Sequence, residues 1–490
     1  MKKSKLIEII STFSQEELKS FEKFILSPYF TRGRDVSGFF SQIKKIYPDF
    51  KSSKINKEIF FNELFPGEKY NQKKLKNLSF ELTYLAEQFL ISESLKKNES
   101  EKELMLSIQY KDRGKRKLFA NTLYLIEERV NGRLFDSFNG FSLEDKLLWL
   151  KQEYYVGLND FRKVVTLKGK HTEYILLSFL VKYLRALRDR EVVYSTYTGE
   201  TENLLLDSLS AGIDMDIIIS ILKKEKYDYL WLMEIYYYSY KSAKDLNDVE
   251  SYTFFRNIYK ENSNKFSKRE KYYILSDFLS FCIRNYNLGK SSYRKEEMEL
   301  YKEMITEDAL RASDDEYLNI ILFRNILFLS TDMDENNWYF ENMDSLIEKL
   351  QPDLRENTKY YSIAHIEYKN KNFEKALENI NKVKYDVFLY KLDVKNMLLK
   401  IFFELKLYDQ AFSMVDTFKH FLKNTKELAD EYKQQFINFI SIYNKILRAS
   451  TGSNGSRNDD GYLLKELDNM EIIANRDWLS EKITQMQNSN

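Results

Sequence analysis

The distribution of proline constrains the fold more than any other feature of this sequence. The chain has four prolines, and none lies between Gly67 and Gln351. Proline removes a backbone hydrogen-bond donor and clashes with the preceding helical turn, so a stretch this long without it favours helix. Apolar residues also recur at intervals of three and four, as at Leu75, Leu78 and Leu82. This spacing is that of an amphipathic helix, and we predict an almost wholly α-helical chain.

Local signals mark where several helices begin. A serine followed three residues later by glutamate fits the capping box, in which each side chain satisfies a free backbone donor. Three such pairs predict helix starts at Ser14 with Glu17, Ser267 with Glu270, and Ser313 with Glu316. The segment from Val192 to Thr198 is instead rich in β-branched and aromatic residues, and we predict an extended connector or a short hairpin there.

Composition indicates a folded, soluble chain in a reducing compartment. Of its 490 residues 43% are hydrophobic and 31% charged, which is too apolar for disorder and enough for two or three domains or one extended array. Cys282 is the only cysteine, so an intrachain disulfide is impossible. Glu8 interrupts the apolar stretch that a signal peptide would need, and no run is long enough to span a membrane. We therefore expect a cytoplasmic protein that neither spans nor enters a membrane.

Changes in composition divide the chain into five predicted regions. Clustered prolines mark the first, and a stretch rich in Gly, Ser and Asn marks the fourth. The regions are a helical N-terminal domain at 1–100, longer helices with irregular connections at 101–312, paired helices at 313–447, a flexible linker at 448–461 and a C-terminal helix at 462–490. Whether that last helix caps the paired helices stays open.

An internal repeat is the most informative motif. The string NFEKALENI, which starts at Asn372, recurs in altered form as LYDQAFSMV, which starts at Leu407, at an offset of 35 residues. Phe373 then matches Tyr408, and both strings carry alanine at the same position. A helix pair repeated at such a period is typical of a solenoid, in which stacked pairs bury a continuous core.

With the preceding helix, residues 357–390 resemble a tetratricopeptide repeat. The matching positions are Tyr360, Ile363, Ala364, Phe373, Ala376 and Ile380. Residues 392–425 resemble the repeat more weakly, because Leu399 stands at a small-residue position and Lys395 at an aromatic one. The resemblance implies an all-α fold in which antiparallel helix pairs stack as a right-handed superhelix, with a smaller helical N-terminal region. The alternative is an irregular helical bundle.

The same resemblance implies a concave surface formed by the first helices of the pairs. The positions carried over from the family are Tyr361, His365 and Tyr368 on one unit and Asn396, Lys400 and Phe403 on the next. Spacings of four and three place each trio on one helix face. Such a face would bind a protein or a peptide through aromatic packing and a few hydrogen bonds. It could equally be the exposed side of a purely structural repeat.

Familiar catalytic and cofactor motifs are absent from the sequence. Gly289, Lys290 and Ser291 match the end of a phosphate-binding loop, but the glycine needed five positions earlier is Arg284. The three histidines are far apart in sequence, so we predict no metal site and no cofactor. Cys282 lies on an apolar face, which predicts a buried packing residue. We expect a non-enzymatic protein, and the alternative is an enzyme with an unrecognised carboxylate site.

Nucleic-acid binding is the main rival to the binding of a protein or peptide. Residues 1–140 carry 26 Lys and Arg against 19 Asp and Glu. Residues 55–85 distantly resemble the helix-turn-helix half of a winged-helix domain, although no arginine lies on the recognition helix and no wing hairpin is evident. The candidate contacts are Lys73, Lys74 and Lys76 on that helix, and Lys111, Arg113, Lys115, Arg116 and Lys117 in a compact basic cluster.

Overall fold

The computed structural model describes residues 4–31, 34–48, 50, 57–137, 141–196, 203–384, 388–425, 430–451, 460–470 and 472–489. These residues form 24 α-helices and no β-strand. The prediction of an all-α chain is confirmed. None of the described helices is both long enough and apolar enough to cross a membrane. The chain divides into two compact units, an N-terminal unit, Met1–Leu187, and a C-terminal unit, Arg188–Asn490.

The N-terminal unit contains the first eight helices and most of the ninth. They are α1 (Lys5–Ser11), α2 (Gln15–Ile25), α3 (Ser37–Lys45), α4 (Lys57–Leu64), α5 (Gln72–Lys97), α6 (Glu99–Asp112), α7 (Arg116–Asn131), α8 (Ser142–Val156) and α9 (Phe161–Thr196). Helix α5 packs against α1, α2 and α4 around an apolar core. In that core the ring centroid of Phe21 lies 5.0 Å from that of Phe40 and 5.4 Å from that of Phe89.

The remaining helices belong to the C-terminal unit. They are α10 (Leu204–Gly212), α11 (Met215–Lys224), α12 (Leu230–Lys244), α13 (Val249–Asn262), α14 (Lys268–Asn287), α15 (Tyr293–Thr306), α16 (Ile320–Asp332), α17 (Asn336–Glu348), α18 (Pro352–Lys369), α19 (Phe373–Ile380), α20 (Phe388–Glu404), α21 (Tyr408–Asn424), α22 (Asp430–Ser450), α23 (Asp460–Asp468) and α24 (Arg476–Ser489). Neighbouring helices pack on one another along the chain, which is compatible with a helical repeat.

One turn recurs at the C-terminal ends of several helices. A residue with positive φ follows the helix, and the next backbone N–H donates to the carbonyl five residues earlier, at 2.8–3.1 Å. This bond satisfies a carbonyl that the helix end would otherwise leave free. The positive-φ residues are Gly114, Asn159, Lys226, Gly289, Asp308, Asp334, Lys371 and Lys406. The same turn therefore already joins α6 to α7, well before the predicted paired helices at 313–447.

The segment predicted to be extended is helical as far as the structure describes it. Helix α9 continues through Val192 to Thr196, and Thr198 lies outside the described residues. Leu187 and Leu184, about one and two turns before Val192, are buried on the same helix. Their packing extends the helical register and overrides the weak strand preference of the β-branched residues. The prediction of a connector or hairpin was wrong for this part.

Two of the three predicted helix starts are found. Ser14 and Glu17 form the complete capping box of α2. Ser267 caps α14 by accepting from the backbone of Glu270, whose carboxylate instead accepts from the hydroxyl of a buried tyrosine. No helix begins at Ser313, because α16 starts at Ile320 under an asparagine cap.

The C-terminal segment holds two helices rather than the single one predicted. Helix α22 continues to Ser450, inside the predicted linker, whose residues 452–459 lie outside the described part of the chain. Helices α23 and α24 then pack on each other, and α24 also packs on α22. Leu479 and Ile483 of α24 are fully buried in the same core. The question left open by the sequence is therefore answered, because the last helix docks on the array.

Candidate functional site

A groove of about 750 Å³ lies in the C-terminal unit where the first helices of successive pairs line up. Helices α16, α18 and α20 form its floor, and α22 and α24 contribute further lining residues. The lining mixes aromatic side chains, among them Tyr368, Phe373 and Trp478, with charged side chains and the amides of Asn396 and Asn475. We call this cavity the array groove.

Four of the six residues predicted for partner binding line the array groove. They are His365, Tyr368, Asn396 and Lys400. Phe403 is not among the lining residues, and its ring packs edge-on against Trp478 with centroids 5.5 Å apart. The repeat spacing thus brings residues of α18 and α20 together across a separation of about 30 residues.

Tyr361 is the predicted contact whose position the structure contradicts. Its side chain is completely buried, and its hydroxyl donates to Asp393 Oδ2 at 2.9 Å. The ring stacks on Tyr390 with centroids 4.5 Å apart. Tyr361 lies beneath the surface because α16 and α20 flank α18 on either side, so a partner in the groove cannot reach it.

Charge pairs stabilise the floor of the groove. Arg324 donates two hydrogen bonds to Asp393, one of them at 2.7 Å to Oδ1, in the planar fork geometry that favours carboxylates. Asp332 accepts from Lys369 at 2.8 Å. These pairs neutralise the carboxylates contributed by α16 and α20.

Lys400 differs from the other cations of the floor because it has no acidic partner. Among the described residues no carboxylate lies within ion-pair distance of its ammonium, whose one hydrogen bond goes to Asn475 Oδ1 at 3.3 Å. The ammonium also lies 5.0 Å from the ring centroid of Tyr368. Burial, followed by the positive charge of Lys369, lowers the pKa of Lys400 to about 8.

His365 brings a second unsatisfied polar group into the groove. Its Nδ1 atom is buried and has no hydrogen-bond partner in the part of the chain that the structure describes. The ring packs against Phe328 with centroids 4.5 Å apart. Burial, with Lys400 and Arg324 nearby, holds the pKa of His365 well below its usual value, so the imidazole is neutral.

Helix α24 forms the opposite wall through contacts that are distant in sequence. Asn475, just before the helix, donates to Asn396 Oδ1 at 2.7 Å. Trp478 donates to Glu404 at 2.9 Å, and Lys482 pairs with the same carboxylate at 2.8 Å. This wall was not predicted from the sequence. Leu479 and Ile483 lie four residues apart and give α24 one apolar face, which indicates that the helix packs on another.

A second cavity, of about 850 Å³, lies between α21, α22 and α23. Its lining includes Lys419, Lys423 and Arg448, together with Ile437 and Tyr462, which are largely exposed. None of the predicted contact residues belongs to it. The array groove is therefore the better candidate site.

The predicted nucleic-acid contacts lie on separate elements of the N-terminal unit. Lys73, Lys74 and Lys76 are on α5, while the basic cluster from Lys111 to Lys117 covers the turn between α6 and α7. Lys74 pairs with Glu68 at 2.9 Å.

Several side chains of the basic cluster contact other parts of the N-terminal unit. Arg113 donates to Gln109 O at 3.3 Å, and Arg116 donates to Gly157 O at 3.1 Å. The ammonium of Lys111 lies over the Trp149 ring, 4.8 Å from its centroid. Lys73, Lys76, Lys115 and Lys117 are exposed. Helix α6 begins two residues after α5 ends, so no wing hairpin follows the proposed recognition helix.

Cys282 and His171 occupy structural positions. Cys282 is fully buried, as predicted, and burial raises the pKa of its thiol to about 12. His171 contacts Asp145 at 2.6 Å and Gln152 at 3.0 Å. Among the described residues there is no group of three or more His, Cys, Asp or Glu side chains that could hold a metal ion.

No protein-family model, no curated protein and no solved structure significantly matches this chain. The geometry of the array groove is therefore the basis for inferring a function.

Proposed function

We propose that this protein is a non-enzymatic scaffold or adaptor that binds a segment of another protein in the array groove. The proposal takes the C-terminal helix pairs as a tetratricopeptide-like superhelix whose first helices line a concave face. The observation that carries it is the convergence of His365, Tyr368, Asn396 and Lys400 on one cavity. Its volume, about 750 Å³, is within the range of ligand-binding pockets.

The chemistry of the lining suits a peptide. Tyr368, Phe373 and Trp478 offer rigid aromatic surface, the kind of anchor that dominates protein interfaces. The side-chain amides of Asn396 and Asn475 offer both donors and acceptors, which match the N–H and C=O groups of an extended peptide backbone. Aromatic anchors and amides together favour a peptide ligand over a purely apolar one.

The lining disfavours the alternative of a carboxylate-based enzyme in this groove. General acid–base catalysis needs a carboxyl group free to exchange a proton. Here Asp393 is held by Arg324, Asp332 by Lys369, and Glu404 by Lys482. These three carboxylates and Glu481 are engaged in ion pairs, which fits a structural role better than proton transfer, and Asp477, the one lining carboxylate without an ion pair among the described residues, is exposed.

Selection from a random peptide library tests the proposal directly. The full chain would be immobilised, and enriched peptides measured against wild type and Asn396→Trp, in which the larger side chain fills the groove. Asn381→Trp is the matched control, because Asn381 is exposed at the end of α19 and does not line the groove. We expect Asn396→Trp to weaken binding about tenfold or more, with the control unchanged. Peptides that bind all three proteins equally would overturn the proposal.

Nucleic-acid binding is our second candidate function, supported by the exposed Lys73, Lys76, Lys115 and Lys117 of the N-terminal unit. It predicts binding of duplex DNA or RNA that weakens steeply with salt and is lost when Lys115 and Lys117 are changed to Gln. Salt-independent binding, or binding that survives the substitutions, would exclude the basic cluster as the contact surface.

A further inference from the structure

We propose that Lys400 is the anchor for an acidic side chain, Asp or Glu, of the bound peptide. This inference rests on the peptide-binding function proposed above and names the chemistry of the ligand at one point of the groove. The geometry that points to it is a cation at the floor of the cavity with no carboxylate in contact.

The balance of charge in the groove leaves room for one negative charge. The lining carries six Lys and Arg side chains and five Asp and Glu side chains. The two acidic residues nearest Lys400 on its own helix are already occupied, Asp393 by Arg324 and Glu404 by Lys482. Asp477, an exposed residue on α24, forms no ion pair in the described part of the chain. A ligand carboxylate would supply the missing partner of Lys400, because a charged group removed from water is favourable only when it is paired.

Two further features around Lys400 favour an anion. Asn475 is the residue before α24, and its side-chain oxygen accepts from Lys400 and Asn396, both at 3.3 Å. Asn475 thereby holds the N-terminus of α24 beside Lys400, and the helix dipole at this end favours negative charge. The buried Nδ1 atom of His365 lies in the same cavity and has no hydrogen-bond partner among the described residues. In the neutral tautomer that carries its proton on Nδ1, this atom would donate to a carboxylate oxygen.

The position of Lys400 favours a side chain over the C-terminal carboxylate of a peptide. Lys400 belongs to α20, and its ammonium contacts both Tyr368 of α18 and Asn475, the residue before α24. A peptide that follows the groove would cross Lys400 in its middle part. There it presents side chains and not its end.

The ammonium of Lys400 also fits a carboxylate better than a phosphate. A phosphoryl group carries nearly two negative charges and is usually held by an arginine fork or several donors. Both arginines of the lining are already engaged, because Arg324 uses its fork on Asp393 and Arg476 donates to the backbone carbonyls of Leu467 and Met470. One ammonium and one carboxylate balance without a further cation.

The experiment uses peptides selected on the full wild-type chain. We expect them to share an Asp or Glu at one position, and a synthetic peptide with Gln there to bind about thirtyfold more weakly, as truncating one partner of a buried charge pair does. Lys400→Met should lower affinity for the acidic peptide by the same factor and leave affinity for the Gln peptide unchanged. The matched control is Lys371→Met, since Lys371 also lines the groove but is exposed, and it should change affinity less than about threefold.

The outcomes separate this inference from the function on which it rests. Peptides that need the groove but show no acidic preference would overturn the role of Lys400 and leave the peptide-binding function standing. Loss of binding on C-terminal amidation, with Gln tolerated, would overturn the side-chain assignment in favour of the terminal carboxylate. Failure to select any peptide that depends on Asn396 would overturn both. Thermal unfolding of Lys400→Met, and binding by Lys400→Gln as a second variant, exclude misfolding as the cause of a loss.

Discussion

The aromatic core of the N-terminal unit and the array groove of the C-terminal unit are built on opposite principles. Around α5 the rings of Phe21, Phe40 and Phe89 meet at 5.0–5.4 Å, and burial of apolar surface holds the helices together. In the groove, the half-buried side chains of Lys400 and His365 are not fully paired. Groups that reduce stability are expected at sites of function, so the comparison directs attention to the groove.

The largest effect should come from opening the aromatic core. Phe21→Ala removes a fully buried ring and leaves a cavity, so we expect the free energy of unfolding of the N-terminal unit to fall by about 3–5 kcal/mol. Urea unfolding with hydrogen exchange of residues 4–97 measures it. Phe80→Ala is the control, because Phe80 on α5 is 71% exposed. A similar loss for both variants would show that this core does not hold the unit together.

Breaking a charge pair in the groove floor should cause the second-largest loss of stability. Asp393→Ala leaves Arg324 without its carboxylate and Tyr361 without its acceptor, and we expect the C-terminal unit to lose about 3 kcal/mol. Urea unfolding monitored on the C-terminal unit measures the change. Glu378→Ala breaks an exposed pair with Lys382 and should leave stability unchanged. A neutral Asp393→Ala would mean that the buried pair contributes no more than a surface one.

Detaching the wall of the groove should have a smaller effect. Trp478→Ala removes the stacking on Tyr443, at 5.8 Å between centroids, and the hydrogen bond to Glu404. We expect a loss of about 1–2 kcal/mol and faster hydrogen exchange at Leu479 and Ile483. Unchanged exchange there would show that the two buried aliphatic residues suffice to dock α24. Asp477→Ala, an exposed change on the same helix, is the control.

Removing the ammonium of Lys400 should change the free energy of unfolding least, and it should raise this free energy where the other substitutions lower it. Lys400→Met is expected to raise the free energy of unfolding by about 1 kcal/mol near neutral pH, because it removes a half-buried charge that has no ion-pair partner among the described residues. The pKa of Lys400 is about 8 in the folded chain and about 10.4 in the unfolded one. Between these values the unfolded state binds more protons, so wild-type stability rises with pH and the advantage of the variant disappears.

Urea midpoints of wild type, Lys400→Met and Lys371→Met across this pH range test the sign. Lys371 is exposed and serves as the control. A wild type that is more stable than Lys400→Met near neutral pH would mean that Lys400 already has a compensating partner. The contrast between the two regions would then disappear.

The helices could be predicted from the sequence because their signals are local. Ser14 and Glu17 cap α2 as expected, since a capping box needs only residues three positions apart. The repeat of helix pairs was recognised only from the strings that start at Asn372 and Leu407, and the turn before each string was not predicted. Elsewhere its positive-φ position is taken by Gly, Asn, Lys or Asp. The bond that defines this turn lies in the backbone, so no single residue type repeats with it.

The candidate site was predicted in part, for a similar reason. Helical spacing placed His365 and Tyr368 on one face, and both line the groove. The same spacing placed Tyr361 with them, but packing on both sides of α18 buries it. Helical periodicity gives the direction of a side chain and not the depth to which neighbouring helices cover it.

The sequence by itself determined that the chain is helical, where α2 and α14 begin, and that one string recurs at an offset of 35 residues. The helical character and the helix starts follow from backbone hydrogen bonds and apolar spacing over a few residues. Only the tertiary structure decided that α24 closes the groove, that Arg324 neutralises Asp393 from 69 residues away and that Lys400 is left without a counterion. Electrostatic pairing depends on distance in space, and folding sets that distance independently of position along the chain.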